Sequence, residues 1–190
     1  MTLNYIIDSS RDKFGDLAAV GMAMEVPITY EEYHDRICAL AMRMLKEGVK
    51  KGDHIAILAE NSDNWGAAYL AGVRIGAVCV PVLPDLPEAD VHHILNEMKV
   101  KFLFTTQRQI EKIYDYRGEP CGQIITLDDH LGAKGLLQPV QFSPYLEKAL
   151  ADYREKRIVG EAPDFPDVGE EDLASILYTS GTSGFSKAVM

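Results

Sequence analysis

The sequence has 190 residues, of which 47% are hydrophobic and 25% are charged, as is usual for a globular domain. Its 29 acidic residues outnumber its 19 lysines and arginines, and the formal charge of −10 argues against a nucleic-acid-binding protein, which normally has a basic surface. The most apolar stretch, residues 67–83, contains Arg74 and Pro81 and is shorter than the about 20 apolar residues of a membrane-spanning helix. We therefore predict no transmembrane segment.

The N-terminus and the cysteines indicate a reducing compartment. Residues 1–8 lack the positive flank, the long apolar stretch and the cleavage site of a secretory signal. Cys38, Cys79 and Cys121 are far apart, which fits neither a disulfide framework nor a structural zinc site. We therefore expect a cytoplasmic protein with reduced thiols, and we interpret Cys79, which lies in an apolar run, as a core residue.

The first predicted elements are a short hairpin and a long amphipathic helix. Residues 18–24 and 26–29 have the pattern of two short strands. Thr29 and Glu32 have the spacing of a capping box, which begins a helix. Apolar residues then recur at spacings of three and four as far as Leu45, and Gly48 is suited to end the helix.

Strands and helices then alternate along the chain. Helices are predicted to begin near Ser62 and at Pro87, and Trp65, Tyr69 and Val73 have the spacing of a packed helix face. The predicted strands are residues 55–59, 78–82, 102–105 and 123–127. Short connections between alternating strands and helices are typical of right-handed crossover units around a parallel sheet. The sequence thus predicts a layered α/β fold.

The region after residue 127 is less regular. We expect a loop over residues 128–141, a helix from Pro144 to about Ile158, and a surface connector over residues 161–167. Five carboxylates between Asp164 and Asp172 could gather a metal ion, but a solvated acidic loop is the simpler interpretation. The adjacent His92 and His93 diverge on a helix and cannot chelate one ion together.

The clearest functional motif lies near residue 190. The strand-like run 173–178 leads into a segment rich in hydroxyl groups and glycine, namely Thr179, Ser180, Gly181, Thr182, Ser183, Gly184, Phe185, Ser186 and Lys187. Glycine lets backbone N–H groups turn toward a ligand, hydroxyls add donors, and the lysine adds a positive charge. Such a loop can hold the phosphates of a nucleotide and stabilise pyrophosphate as it leaves.

Two better-known phosphate loops do not match this spacing. A Walker loop has four residues between its glycines and a lysine directly after the second, whereas Gly181 and Gly184 are separated by two residues and Lys187 follows later. A dinucleotide-binding motif has three glycines near the first strand of its domain, whereas this segment has two glycines and lies at the far end of the chain. Composition alone leaves a flexible polar tail as an equal alternative.

The run Tyr178–Met190 resembles the phosphate-binding signature of the adenylate-forming superfamily, which includes acyl-CoA synthetases, luciferases and peptide-synthetase adenylation domains. The segments that resemble the N-terminal region of the same family, in order and at similar spacing, are residues 28–32, 48–57 and 76–82, with Asn61 and Trp65. Ser183, Ser186 and Ala188 stand where the family usually has threonine, proline and glycine. The missing proline predicts a looser loop.

The resemblance implies an enzyme in which a carboxylate attacks the α-phosphate of ATP in the presence of Mg²⁺, and the thiol of coenzyme A then captures the acyl-adenylate. It implies that Lys187 assists this reaction and that the phosphates bind to Thr179, Ser180, Gly181, Thr182, Ser183, Gly184 and Lys187. The segment Val80–Pro87 is most similar to long-chain fatty-acid CoA ligases, with aryl- or amino-acid-activating relatives as alternatives. A lipid substrate of this kind could bring the protein to a membrane surface.

The resemblance also implies a partial N-terminal AMP-binding domain over residues 1–190. Its expected parts are a crossover core over residues 29–127, an irregular connector with one helix over 128–170, and a strand with the phosphate loop over 171–190. Because members of the family are much longer, we expect a fragment that lacks the rest of its chain and is inactive alone. A non-catalytic interaction module and a kinase that uses this loop are the alternatives, and the reaction products separate them.

Overall fold

The computed structural model describes residues 1–118, 121–130, 139–161, 163–179 and 187–189. The helices are α1 (Leu3–Phe14), α2 (Tyr30–Lys46), α3 (Asp63–Arg74), α4 (Glu88–Met98), α5 (Gln107–Ile110), which continues into the 3-10 turn Glu111–Ile113, and α6 (Phe142–Ile158). The strands are β1 (Ala18–Val20), β2 (Ile28–Thr29), β3 (His54–Leu58), β4 (Val78–Val82), β5 (Phe102–Thr105), β6 (Gln123–Thr126), β7 (Val140–Gln141), β8 (Leu177–Thr179) and β9 (Lys187–Val189). In this part of the chain, no helix is long and apolar enough to cross a membrane.

A five-stranded sheet in the order β4-β3-β5-β6-β7 forms the centre of the fold, and its paired strands are all parallel. In this register, Ala56 of β3 lies opposite Val80 of β4 and Leu103 of β5. The predicted parallel α/β fold is therefore confirmed. Strand β7 lies where we expected a loop, because two residues are too few to show a strand pattern in a sequence.

Helices cover the sheet on both faces. Ile57 and Phe104 pack on one face with apolar residues of α2, α3 and α6. Leu58 and Leu103 pack on the other face with apolar residues of α4. Burial on both sides explains why the strand sequences are continuous apolar runs with no alternation.

Local signals place the helix ends close to where the sequence predicts them. Thr29 and Glu32 form both hydrogen bonds of a capping box at the start of α2. The Ser62 side chain accepts a hydrogen bond from the Trp65 N–H at the start of α3. Helix α6 begins at Phe142, two positions before Pro144, which its first turn tolerates because the first N–H groups of a helix have no partner within it.

Helix α1 is absent from our predictions. None of its residues is buried, and its contacts include the Phe14 ring against the Tyr30 ring of α2 and a set of polar contacts. Both carboxylate oxygens of Asp8 accept hydrogen bonds of 2.8 Å from Arg74, and one of them lies 3.0 Å from His34 Nε2. Contacts of this kind join residues that are distant in the sequence, so an apolar periodicity does not reveal them.

The three cysteines are free thiols, as we expected. Cys79 is fully buried against α3, and burial raises the pKa of its thiol to about 12. A thiol in that state is protonated at neutral pH and is not nucleophilic. The interpretation of Cys79 as a core residue is therefore confirmed.

Candidate phosphate-binding site

The chain reaches the predicted phosphate loop along the β4 edge of the sheet. The Cys79 N–H donates to the Ala174 carbonyl at 3.0 Å, and the Ile176 N–H donates to the Cys79 carbonyl at 2.9 Å. The Ser175 hydroxyl donates to the same Cys79 carbonyl at 2.9 Å. Because Ser175 bridges Cys79 in the parallel sense, the chain after Ile176 continues toward the carboxyl ends of the strands. Ligands of open α/β sheets bind at that edge.

Strands β8 and β9 form an antiparallel hairpin that connects through residues 180–186. Leu177 pairs with Val189, Tyr178 with Ala188, and Thr179 with Lys187. The predicted site residues between these strands lie outside the described part of the chain, namely Ser180, Gly181, Thr182, Ser183 and Gly184. The structure thus brings together the two ends of the predicted loop, Thr179 and Lys187.

Thr179 and Lys187 are directly opposite one another and both are exposed. Paired residues in an antiparallel sheet project on the same side, with Cα atoms about 4.5–5.5 Å apart. One hydroxyl and one ammonium group can therefore meet the same anion. A Lys side chain binds phosphate as a point charge, and a Thr hydroxyl adds a directed hydrogen bond.

Tyr178 lies between these outward-facing residues and points into the protein. Its side chain is only 5% exposed and packs against apolar residues of β4 and α4. The Tyr178 hydroxyl donates to Glu97 Oε2 of α4 at 2.7 Å, and His93 Nε2 lies 3.5 Å from the same oxygen. Burial, together with the negative charge of Glu97, raises the pKa of Tyr178 well above its usual value. Tyr178 therefore remains a neutral hydrogen-bond donor.

The contact between Tyr178 and Glu97 is one that the sequence did not reveal. Glu97 lies 81 positions before Tyr178 and belongs to a helix whose pattern reports only its buried face. Tyr178 itself begins the run that resembles a phosphate-binding signature, so its position could have been found from the motif. The position of its partner, Glu97, could not be found in this way, because a helical pattern does not specify which exposed residue contacts a strand far along the chain.

A second polar cluster lies at the carboxyl ends of β3 and β5, where the strand order reverses. Glu60 accepts hydrogen bonds from the Thr106 hydroxyl at 2.8 Å and from the buried Gln109 amide at 2.6 Å. Partial burial favours a higher pKa for Glu60, but the hydrogen bonds from Gln109 and Thr106 outweigh it and lower the pKa. Glu60 is therefore ionised at neutral pH. Its hydrogen bonds connect the chain just after β3 to the chain just after β5.

Two other interpretations from the sequence can be compared with the structure. The rings of Trp65 and Tyr69 stack with their centroids 5.4 Å apart, and both side chains pack against the core. The prediction that they lie on a packed helix face is therefore confirmed. Asp172, the last residue of the acidic loop 164–172, pairs with Lys51 at 2.6 Å and accepts a hydrogen bond from the Gly169 N–H at 2.7 Å. Within the described ranges, no group of three or more His, Cys, Asp or Glu residues could hold a metal ion.

The AMP-binding enzyme family matches residues 8–190 of the chain. A medium-chain fatty-acid–CoA ligase of Escherichia coli (strain K12) is 31% identical over 169 residues, which cover 85% of this chain and 28% of the ligase. A 3-hydroxybenzoate–CoA/4-hydroxybenzoate–CoA ligase of Thauera aromatica is 29% identical over 171 residues, which cover 89% of this chain and 30% of that ligase. The chain thus spans less than a third of the length of these relatives.

Solved structures have the same fold. The anthranilate CoA ligase AuaEII, in complex with anthranoyl-AMP, superposes with a TM-score of 0.82 at 18% identity over 100% of this chain and 34% of that one. The N-terminal subdomain of NpsA from Klebsiella oxytoca, in complex with 3-hydroxybenzoyl-AMSN, superposes with a TM-score of 0.68 at 24% identity over 99% of this chain and 40% of that one. The fold of this chain is therefore that of an N-terminal subdomain of an adenylate-forming enzyme.

Proposed function

This chain belongs to the AMP-binding enzyme family, and we propose that it supplies the ATP-phosphate-binding part of an AMP-forming acid–thiol ligase. In the proposed reaction a carboxylate oxygen bonds to the α-phosphorus of ATP and pyrophosphate leaves. The coenzyme A thiol then attacks the acyl carbon, AMP leaves, and acyl-CoA forms. The main support is the β8–β9 hairpin, which sets Thr179 opposite Lys187 at the base of a loop sequence rich in hydroxyl groups and glycine.

The proposed role of the hairpin is to hold and neutralise the departing phosphates. Lys187 supplies a positive charge next to the negative charge that builds up on pyrophosphate. Thr179 supplies a hydroxyl donor on the same side of the hairpin. The remaining proposed phosphate ligands are the side chains and N–H groups of Ser180, Gly181, Thr182, Ser183 and Gly184.

The proposal assigns no residue of this chain to Mg²⁺ or coenzyme A. Magnesium binds oxygen ligands, usually one or two carboxylates together with substrate phosphates. The described residues include no cluster of three or more acidic, histidine or cysteine side chains fit to hold an ion.

The carboxylic acid is proposed to be a long-chain fatty acid, because the segment Val80–Pro87 resembles ligases for such acids. The relatives named for medium-chain fatty acids and hydroxybenzoates support a carboxylic acid, and they keep shorter and aromatic acids as alternatives. Pyrophosphate–ATP exchange by the full-length gene product tests the class, with a long-chain acid, a medium-chain acid and benzoate as substrates. Exchange that depends on the long-chain acid is the expected result, and exchange that depends on one of the other two acids would keep the ligase class and contradict the long-chain assignment.

The products formed from ATP when the carboxylic acid and coenzyme A are both supplied separate the alternatives. AMP with pyrophosphate is expected from a ligase, whereas ADP would indicate a kinase. No effect of any nucleotide would favour a non-catalytic module of the same fold. The 190-residue chain alone is expected to show no exchange, because it spans 28% of its medium-chain ligase relative. Carboxylate-dependent exchange by that chain alone would contradict this expectation.

A further inference from the structure

The phosphate-binding hairpin leaves the main sheet before it reaches its ligand-facing residues. The backbone hydrogen bonds to β4 involve Ala174 and Ile176, and from Leu177 onward the chain pairs with β9. A two-stranded hairpin is only marginally stable by itself in water. The positions of Thr179 and Lys187 therefore depend on what attaches β8 to the rest of the protein.

Tyr178 provides such an attachment directly beside Thr179. Successive residues of a strand point to opposite faces, so a Tyr178 side chain that is fixed inside the protein orients Thr179 outward. Lys187 lies opposite Thr179, and Ala188 lies opposite Tyr178. Anchoring Tyr178 therefore sets both described residues that face the phosphates.

Glu97 can hold Tyr178 in one position because it lies on a rigid element. Helix α4 buries Val91, Ile94 and Leu95 against the sheet. The 2.7 Å hydrogen bond from a neutral tyrosine hydroxyl to a carboxylate is charge-assisted, which makes it stronger than a bond between neutral groups. The contact thus connects a packed helix to the ligand-facing hairpin.

We infer that Glu97 is a positioning residue for ATP, and that it acts through Tyr178 on the placement of Thr179 and Lys187. This inference rests on the proposed function. Glu97 does not belong to the phosphate-binding sequence motif, and among the described residues of the site it is Tyr178 that donates a hydrogen bond to it. The loss of Glu97 is therefore expected to weaken the binding of ATP and to leave the binding of the carboxylic acid unchanged.

Three variants of the full-length gene product test the inference, with the KM values for ATP and for the carboxylic acid measured separately. Tyr178→Phe removes only the hydroxyl, Glu97→Ala removes the acceptor, and Glu97→Gln keeps an acceptor oxygen. The first two are expected to raise the KM for ATP by about threefold to tenfold, the range of one ordinary hydrogen bond, because Glu97 is about half exposed and the bond acts on ATP through the hairpin. The KM for the acid is expected to stay unchanged, and Glu97→Gln is expected to restore most of the ATP affinity.

A double variant and a matched control sharpen the test. Since both groups act through one hydrogen bond, Tyr178→Phe with Glu97→Ala is expected to be no worse than the more affected single variant. Tyr116→Phe is the control, because it removes a tyrosine hydroxyl that donates to the neighbouring Asn96 of α4 at 2.9 Å. This control is expected to leave the KM for ATP unchanged.

The outcomes separate this inference from the proposed function. An active wild-type enzyme whose Tyr178→Phe and Glu97→Ala variants keep the wild-type KM for ATP, or raise both KM values equally, overturns the inference alone. A wild-type protein without ATP-dependent exchange overturns both. If Tyr178→Phe does not fold, the Glu97 variants decide, because the Glu97 side chain is 47% exposed and its replacement leaves the core intact.

Discussion

The five-stranded sheet and the β8–β9 hairpin are built in opposite ways. Phe104 and Ile57 in the sheet are completely buried, with helices on both faces. In the hairpin, Leu177 is 53% exposed and pairs with the exposed Val189. The sheet therefore provides most of the apolar burial that stabilises the fold, whereas the hairpin keeps its outward face available to a ligand. Stability and nucleotide binding should be separable by mutation.

The largest expected effect comes from the sheet. Phe104→Ala empties a fully buried site in β5, and we expect the free energy of unfolding to fall by about 3–5 kcal/mol. Leu177→Ala in the hairpin is the comparison, with an expected loss within about 0.5 kcal/mol because the side chain is exposed. Urea unfolding of both variants measures the difference. Equal losses would show that the Leu177 side chain, too, belongs to the core.

The opposite result is expected for activity. Lys187→Ala removes a positive charge at the base of the phosphate loop, and we expect pyrophosphate–ATP exchange to fall by about 10²-fold, as when one preorganised transition-state contact is lost. Its thermal unfolding midpoint should stay close to that of the wild type, since Lys187 is exposed. Lys148→Ala on α6 is the matched control for an exposed lysine. Equal loss of activity in both variants would remove Lys187 from the site.

A smaller effect is expected where the two regions join. Ser175→Ala removes the side-chain hydrogen bond to the Cys79 carbonyl, which still accepts the Ile176 N–H. We therefore expect a loss of about 1 kcal/mol in the free energy of unfolding. Thermal or urea unfolding checks it. A loss above about 3 kcal/mol would mean that this edge is integral to the sheet core.

The smallest expected effect is the change of stability with pH, because it comes from one histidine, His34, which contacts Asp8 of α1. Burial lowers the pKa of His34, even though its hydrogen bond to Asp8 favours the charged form. The unfolded chain, with a histidine pKa of about 6.5, therefore binds more protons than the folded chain just below that pH, and stability should decline as the pH falls through this range. The urea midpoint between about pH 7.5 and pH 5.5 measures the decline. Replacing His34 with Gln should flatten it, and a midpoint that rises toward acid would contradict the assignment.

Predictions from the sequence succeeded where one short segment holds the whole signal. The capping box of Thr29 and Glu32 and the apolar strand runs are confirmed, because a helix start and a buried strand are specified by neighbouring residues. Strand β7 and helix α1 were missed, because the first is too short for a pattern and the second buries none of its residues. The role of Lys187 stays a prediction, although its position opposite Thr179 agrees with it.

The amino-acid sequence by itself determined the α/β class and the order of helices α2, α3, α4 and α6 and of strands β3 to β6. These features follow from apolar periodicity and capping residues, which are local properties of the chain. The phosphate loop is a prediction from the resemblance of one short segment to a family signature. Only the tertiary structure decided that Tyr178 meets Glu97, that Asp8 meets Arg74, and that Glu60 joins the ends of β3 and β5. Exposed polar residues on a helix or a loop follow no period, so their partners are set by how whole elements pack.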